Sequence, residues 1–187
     1  NRAYRRLPAV ATTAGRRYLM AMDTPWRGTL KQCLAPWLLA PYCRRIHAVV
    51  VPGERSWQYA KRLRFPEHAI FRGLYGIDHA TLKPLYEGRL QQPSWPRQFL
   101  FVGRYAPEKG IDLLLDAYDD YRATTPDPWP LVCCGKGPLA GRLSGRPGVT
   151  DLGFRQPQDL REVMLQSGVT VLPSLYDPWP LALVEAC

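Results

Sequence analysis

A guanidinium and an ammonium stand five residues apart in the run Phe101-Val102-Gly103-Arg104-Tyr105-Ala106-Pro107-Glu108-Lys109-Gly110. A strand ending at Gly103 and a helix opening after Gly110 set both cations beside the unpaired N–H groups and partial positive charge of a helix N-terminus. That arrangement suits two neighbouring phosphates. The same spacing also fits a plain strand-to-helix turn with two exposed cations, and spacing alone leaves both readings open. A second constellation lies in residues 172–185, where the carboxylates Asp177 and Glu185 stand eight residues apart. Glu185 sits among apolar residues, where an unpaired carboxylate is costly. It therefore needs a fixed partner, either a Lys or Arg of the protein or a ligand hydroxyl. Between the two constellations, Gly135-Lys136-Gly137-Pro138 closes an apolar run.

These groups cooperate only if the chain gathers them on one rim. Residues 98–103, 131–134, 149–152 and 169–173 read as buried strands. Ile111, Leu114, Leu115 and Tyr118 fall at i, i+3, i+4 and i+7, one face of a helix, with Asp112, Asp116, Asp119 and Asp120 off that stripe. Leu160, Val163 and Met164 mark a shorter amphipathic helix, and Pro180 suits the first position of another. This alternation predicts an α/β fold with a parallel sheet covered on both faces. Ligands of such sheets bind at the carboxyl ends of the strands, which selects four loops: 103–110, 135–138, 153–156 and 174–179.

The first half alternates less cleanly. Residues 9–11, 18–22, 48–51 and 69–71 read as strands and 54–63 as a helix. Residues 29–45 are helical in character, with Pro36 and Pro41 expected to break or kink them. The polar segment 88–96, with two prolines and Trp95, reads as an interdomain linker. The expected organisation is a first domain over 1–90, a linker over 91–97 and a second domain over 98–187. The opening residues read like the inside of a helix, and the last ones fall inside an apolar pattern that has just begun, so a fragment cut at both ends is expected.

Composition narrows the function classes. Of the 187 residues 46% are apolar, enough for one or two cored domains, and no stretch of 18 or more uninterrupted apolar residues is present. Residues 1–92 hold 16 Lys and Arg against 5 Asp and Glu, and residues 93–187 hold 9 against 11. A basic half joined to a mildly acidic one suggests two domains. The basic half attracts anionic membranes, nucleic acid or phosphorylated substrates, or else simply forms a solvated surface. Cys33, Cys43, Cys133, Cys134 and Cys187 have no C-x-x-C spacing, which points to reduced thiols in a cytosolic setting. His47, His68 and His79 are scattered, and no grouping suits zinc.

Taken together, the motifs of the second half resemble the donor domain of retaining glycosyltransferases of family 4, which have the GT-B fold of two facing Rossmann-like domains. That donor domain begins with a strand ending in G-R-x-x-x-E-K-G, has a G-x-G-P turn, and closes its site with a Pro-Ser-containing strand and an E-x7-E pair. Gly103 to Gly110, Gly135 to Pro138, and Pro173-Ser174 through Asp177 to Glu185 follow that order and spacing. Met22-Asp23-Thr24-Pro25-Trp26-Arg27-Gly28 and Val51-Pro52-Gly53-Glu54 are similar to the rear of the acceptor domain in a subset of the family. The resemblance covers 98–187 most fully and 18–90 more loosely. It implies an incomplete acceptor-side domain joined to a C-terminally truncated donor domain.

The resemblance further implies transfer of a sugar from a nucleotide-diphosphate-sugar donor to an acceptor, with retention of configuration. Arg104 and Lys109 hold the diphosphate, Asp177 faces the donor sugar, and Glu185 binds the ribose hydroxyls. Gly103, Gly135, Gly153 and Phe154 complete the donor site, with 153–154 beside the base. Arg104, Lys109 and Asp177 are the catalytic candidates. No metal and no cofactor beyond the donor is expected. Acceptor-side loops from the front of the first domain are missing, so little activity is expected of this chain alone. Two departures stand out: Asp177 replaces the usual first Glu, one methylene shorter, and Pro180 replaces a Gly that offers an N–H and close approach. Base, sugar and acceptor are left open. The expected partners are the donor, a sugar or lipid-linked acceptor, and an anionic membrane touched peripherally by the basic half, with no nucleic acid. The expected setting is the cytoplasm, extending to the inner face of the membrane.

Rival readings remain at this point. One is an epimerase or phosphorylase on a similar scaffold, although no motif for a pyridoxal phosphate lysine is present. Another is a non-catalytic basic module for nucleic acid or anionic lipid, with steeply salt-dependent binding. A nicotinamide-dependent enzyme fits poorly, because Gly135-Lys136-Gly137 lacks the third glycine and the acidic residue about 20 positions on.

Overall fold

The computed structural model describes residues 2–177 and 179–186. Asn1, Pro178 and Cys187 lie outside them, and with Cys187 the expectation for its thiol. The chain divides into two compact units, residues 1–76 and 77–187.

In the first unit, α1 (Arg2–Thr13) precedes β1 (Leu19–Ala21), followed by α2 (Leu30–Leu38), α3 (Ala40–Cys43), β2 (Ala48–Val51), α4 (Glu54–Arg62) and β3 (Ile70–Arg72). The three strands form a parallel sheet in the order β1-β2-β3, with Met20 opposite Val49 and Val50 opposite Phe71. Val49, Val51, Ala60, Leu63 and Ile70 fill its core. Two sequence expectations change here. Residues 9–11 belong to α1, not to a strand, and the helix continues through Pro8. Thr12 and Thr13 donate back to the carbonyls of Pro8 and Ala9, at 2.8 and 3.0 Å. Pro36 does not end α2 either; the break comes at Leu39, and Pro41 stands in the first turn of α3, where its missing N–H is harmless.

The second unit holds α5 (His79–Leu90), β4 (Phe99–Val102), α6 (Ile111–Thr124), β5 (Leu131–Cys134), β6 (Val149–Asp151), α7 (Pro157–Leu165), β7 (Val169–Thr170) and α8 (Leu181–Ala186). Its strands form a parallel sheet in the order β6-β5-β4-β7. Alternation along β4 sends Phe101 into a core with Ile111, Leu115 and Leu131, and Leu100 to the opposite face with Val132, Leu160, Val163 and Met164. Both faces are thus covered, α6 on one and α7 on the other, as the near-continuous apolar runs require. Burying each such aromatic or aliphatic side chain contributes about 1.5–3 kcal/mol.

The contact boundary falls between Gly76 and Ile77, ahead of the 91–97 linker expected from composition. The cause is α5, which the sequence reading left without an element. Its Arg89 guanidinium donates to the carbonyls of Met164 at 2.7 Å and Ser167 at 2.5 Å. Gln92 donates to Leu165 O at 3.1 Å, and the Trp95 indole donates to Gly168 O at 2.9 Å. The segment expected to link two domains is therefore stitched to the end of α7.

Candidate functional site

The four loops chosen from the sequence converge at the carboxyl ends of β4, β5, β6 and β7. Gly103 N donates to Cys134 O at 3.0 Å, and Tyr105 N to Lys136 O at 3.0 Å, tying the first loop to the second. Gly135 N donates to Gly153 O at 2.9 Å, tying the second to the third. Tyr176 N donates to Glu108 O at 3.1 Å, tying the fourth to the first. These approaches leave no room for side chains at two glycines. A Cβ on Gly135 would sit 1.9 Å from Gly103 O, and one on Gly110 would sit 2.2 Å from Pro173 O, with Gly110 also at φ +69°. The Gly-rich spacing is thus a requirement for loops to touch backbone to backbone.

Tyr105 anchors the rim from below. Its ring is fully buried and its hydroxyl donates to Asp151 Oδ1 at 2.7 Å, while the same oxygen accepts Gly153 N at 2.8 Å. Burial first, then the Asp151 carboxylate, push the Tyr105 phenol far above its ordinary pKa. Burial likewise raises the Cys133 thiol to about 12, with Asp151 adding to the effect. These groups stay neutral and hold the loops in place.

The charged groups stand on top. Lys109 forms an ion pair with Asp177, their side chains 22% and 14% exposed. Arg104 pairs with Glu108, four residues on. The Glu108 carboxyl is held below its usual range, first by its own backbone N–H and, against an opposing effect of desolvation, by Arg104 and Lys109. Asp177 also accepts the Trp179 N–H at 3.2 Å. Gly110 begins α6 with no side-chain cap, so the positive end of that helix faces the same rim. On the neighbouring loop the Lys136 ammonium lies 5.0 Å from the centre of the exposed Phe154 ring.

The structure therefore brings Gly103, Arg104, Lys109, Gly135, Gly153, Phe154 and Asp177 to one rim. The sequence reading missed the internal partners of the two cations. The i, i+4 spacing of Arg104 and Glu108 was a visible signal; the Lys109–Asp177 pair spans 68 positions and had none. Glu185 makes none of the bonds that tie these loops together. It is half-buried on α8 and, with Leu183, lines a cavity of about 690 Å3 against Leu82, Tyr86 and Met164, which neither Arg104 nor Lys109 lines. Lys83 and Arg89 line the same cavity. Among the described residues no His, Cys, Asp and Glu cluster suits a metal ion.

Comparison with known proteins shows the family and the fold. The glycosyl transferases group 1 family matches residues 85–187. The chain belongs to that family. Relatives include the uncharacterized glycosyltransferase YqgM of Bacillus subtilis, 35% identical over 101 residues, which are 50% of this chain and 28% of YqgM. The uncharacterized glycosyltransferase MJ1607 of Methanocaldococcus jannaschii is 26% identical over 149 residues, 74% of this chain and 33% of that protein. Among solved structures, Anabaena Alr3699/HepE in complex with UDP superposes with a TM-score of 0.72 at 17% identity, covering 99% of this chain and 54% of HepE. WaaG, a glycosyltransferase involved in lipopolysaccharide biosynthesis, gives 0.57 at 14%, covering 98% and 60%. The fold is accordingly the α/β, parallel-sheet architecture of the GT-B glycosyltransferases. The chain spans about a third of the length of the curated relatives it matches and about half that of the HepE structure.

Proposed function

We propose that residues 77–187 form the sugar-nucleotide-binding part of a retaining glycosyltransferase and that residues 1–76 belong to its acceptor-side domain. One observation carries this reading: four loops distant in sequence meet on the rim that presents Arg104, Lys109 and the uncapped start of α6. That rim suits a nucleoside diphosphate, whose phosphates would displace Glu108 and Asp177 as partners of the two cations. Phe154 and the Gly153 backbone would lie beside the base. Asp177, once released from Lys109, would face the donor sugar, and Glu185 would take the ribose hydroxyls.

The chemistry follows from charge. Breaking a sugar–phosphate bond leaves negative charge on the diphosphate while the sugar becomes cationic. Arg104, Lys109 and the α6 amides are already in place for that charge, and losing one such donor typically costs about 2.7–4 kcal/mol, roughly 10²–10³ in rate. In this reading those cations do the work a divalent metal does elsewhere. The acceptor hydroxyl bonds to the anomeric carbon from the face the diphosphate leaves, its proton passing to the departing phosphate oxygen, with no covalent nucleophile. HepE was solved with UDP, which makes UDP the first nucleotide to test. We also place the chain in a reducing, cytosolic setting, since Cys33, Cys43, Cys133 and Cys134 are free thiols and three of them are buried. Calorimetric titration of UDP, GDP and ADP tests the reading: saturable binding of one of them supports it, and binding of none removes it. A donor-turnover assay on the same chain should show little or no transfer; ordinary turnover would remove the proposal that this chain is inactive alone.

A further inference from the structure

The turn after β5 brings a third cation to the rim, beyond the two assigned to the diphosphate. Lys136 stands between Gly135 and Gly137, and both glycines are pressed against backbone. A Cβ on Gly135 would sit 1.9 Å from Gly103 O, and one on Gly137 would sit 2.3 Å from Tyr105 O. Lys136 O accepts Tyr105 N at 3.0 Å, and Gly135 N donates to Gly153 O at 2.9 Å. The backbone of this turn is therefore fixed against the loop after β6, while the lysine stem remains flexible. The ammonium lies 5.0 Å from the centre of the Phe154 ring, so its partner is an aromatic face, whereas Arg104 and Lys109 each pair with a carboxylate.

These two loops are rich in donors, and their acceptors are engaged. Residues 135–139 and 152–156 hold Lys136 and Arg155 and no Asp or Glu. The carboxylate just ahead of them, Asp151, accepts the Tyr105 hydroxyl and the Gly153 N–H on Oδ1, at 2.7 and 2.8 Å. The carbonyls of Lys136 and Gly153 accept Tyr105 N and Gly135 N. An ammonium donates and never accepts. A flat ring carrying an oxo group meets a donor here. The same ring carrying an amino group turns its own donor hydrogens toward a cation and leaves them unpaired. Phe154 supplies a stacking face that any base can use, so the choice between bases falls to Lys136. A base that takes the ring face sends the ammonium to the base's edge, which its stem can follow.

We propose that Lys136 and Phe154 form a clip that selects the base of the bound nucleotide, Phe154 by stacking and Lys136 by donating to the oxo group at position 4 of a pyrimidine or 6 of a purine. The protein then takes uracil over cytosine and guanine over adenine. This assignment rests on the rim being a nucleoside-diphosphate site. The test is calorimetric titration of the chain with UDP, CDP, GDP, ADP and inorganic pyrophosphate at one salt concentration. Within the ring size that binds, the oxo nucleotide should bind about tenfold more tightly than its amino counterpart, the low end for a hydrogen bond to a charged group. Lys136→Met should bring the two to within about twofold, chiefly by weakening the oxo nucleotide, and leave pyrophosphate unchanged. Lys136→Arg, which keeps a donor-only cation, should retain the preference. Phe154→Ala should weaken the nucleotides alike by about tenfold and spare pyrophosphate. Equal affinity of the parent for an oxo and amino pair would overturn the proposal and needs no variant. A preference that survives Lys136→Met would overturn it too, as would pyrophosphate weakening as much as UDP, which would make Lys136 a phosphate ligand. Pyrophosphate and nucleotides binding without discrimination sink the clip alone, whereas binding of none of the five removes the donor site and the clip with it.

Discussion

Replacing Asp177 with Asn keeps the shape of the side chain and removes its charge, which isolates the ion pair with Lys109. The two side chains are 22% and 14% exposed, between surface and core. Exposed pairs contribute about 0–1 kcal/mol, and removing one partner of a fully buried pair costs about 3–5 kcal/mol. A partly buried pair whose lysine can still reach water should fall between, so Asp177→Asn is expected to lower stability by about 1–2 kcal/mol. The effect on ligand binding should have the opposite sign. Asp177 competes with a diphosphate for Lys109 and repels it, so the Asn variant should bind UDP more tightly by about 1.4 kcal/mol, tenfold in Kd. Lys109→Ala should weaken UDP by about 1.5–3 kcal/mol, the range for a hydrogen bond to a charged group. Urea denaturation reads the first quantity and calorimetry the others. Asp177→Asn weakening UDP as much as Lys109→Ala does would refute the competition argument, and an unchanged Kd for Lys109→Ala would remove Lys109 from the phosphate site.

Further expectations follow from the packing and the titrating groups. Gly135→Ala forces a methyl group to within 1.9 Å of Gly103 O; moving two loops apart should cost about 1–3 kcal/mol, as overpacking generally does, seen as a lower melting temperature. Arg89→Gln removes donors to Met164 O and Ser167 O and should loosen α5 from α7 at a cost of about 1.5–3 kcal/mol, with faster hydrogen exchange in residues 79–92. The buried Cys133 thiol has its pKa raised from 9.0 to about 12. The unfolded chain therefore loses this proton first, so stability is level below about pH 9 and falls as pH rises from there toward 12, by up to about 1.4 kcal/mol per pH unit. Cys133→Ala should flatten that alkaline loss in chemical denaturation series.

Much of the second unit was legible because its signals are local. The apolar runs of β4 and β5 and the i, i+3, i+4, i+7 stripe of α6 name their own elements, and the carboxyl-end rule then selects the loops that meet. Residues 9–11 misled because Ala-Val-Ala suits a short strand as well as a helix, and the threonine-to-carbonyl bonds of α1 have no signature before folding. Pro84 and Gly88 obscured α5, whose leucines at 82, 85 and 90 face α7 and α8 across the cavity. The grouping of α5 with the second unit was not legible for the same reason, since what assigns it is a guanidinium reaching carbonyls 75 and 78 positions away. The pairing of Lys109 with Asp177 depends on loop paths that no spacing in the sequence encodes.

Hydrogen–deuterium exchange with and without saturating UDP tests the central claim most directly. The account predicts slower exchange in residues 103–112, 135–139, 151–156 and 174–185 together, with 19–72 unchanged. Protection confined to one of those loops, or appearing in the first unit instead, would contradict it.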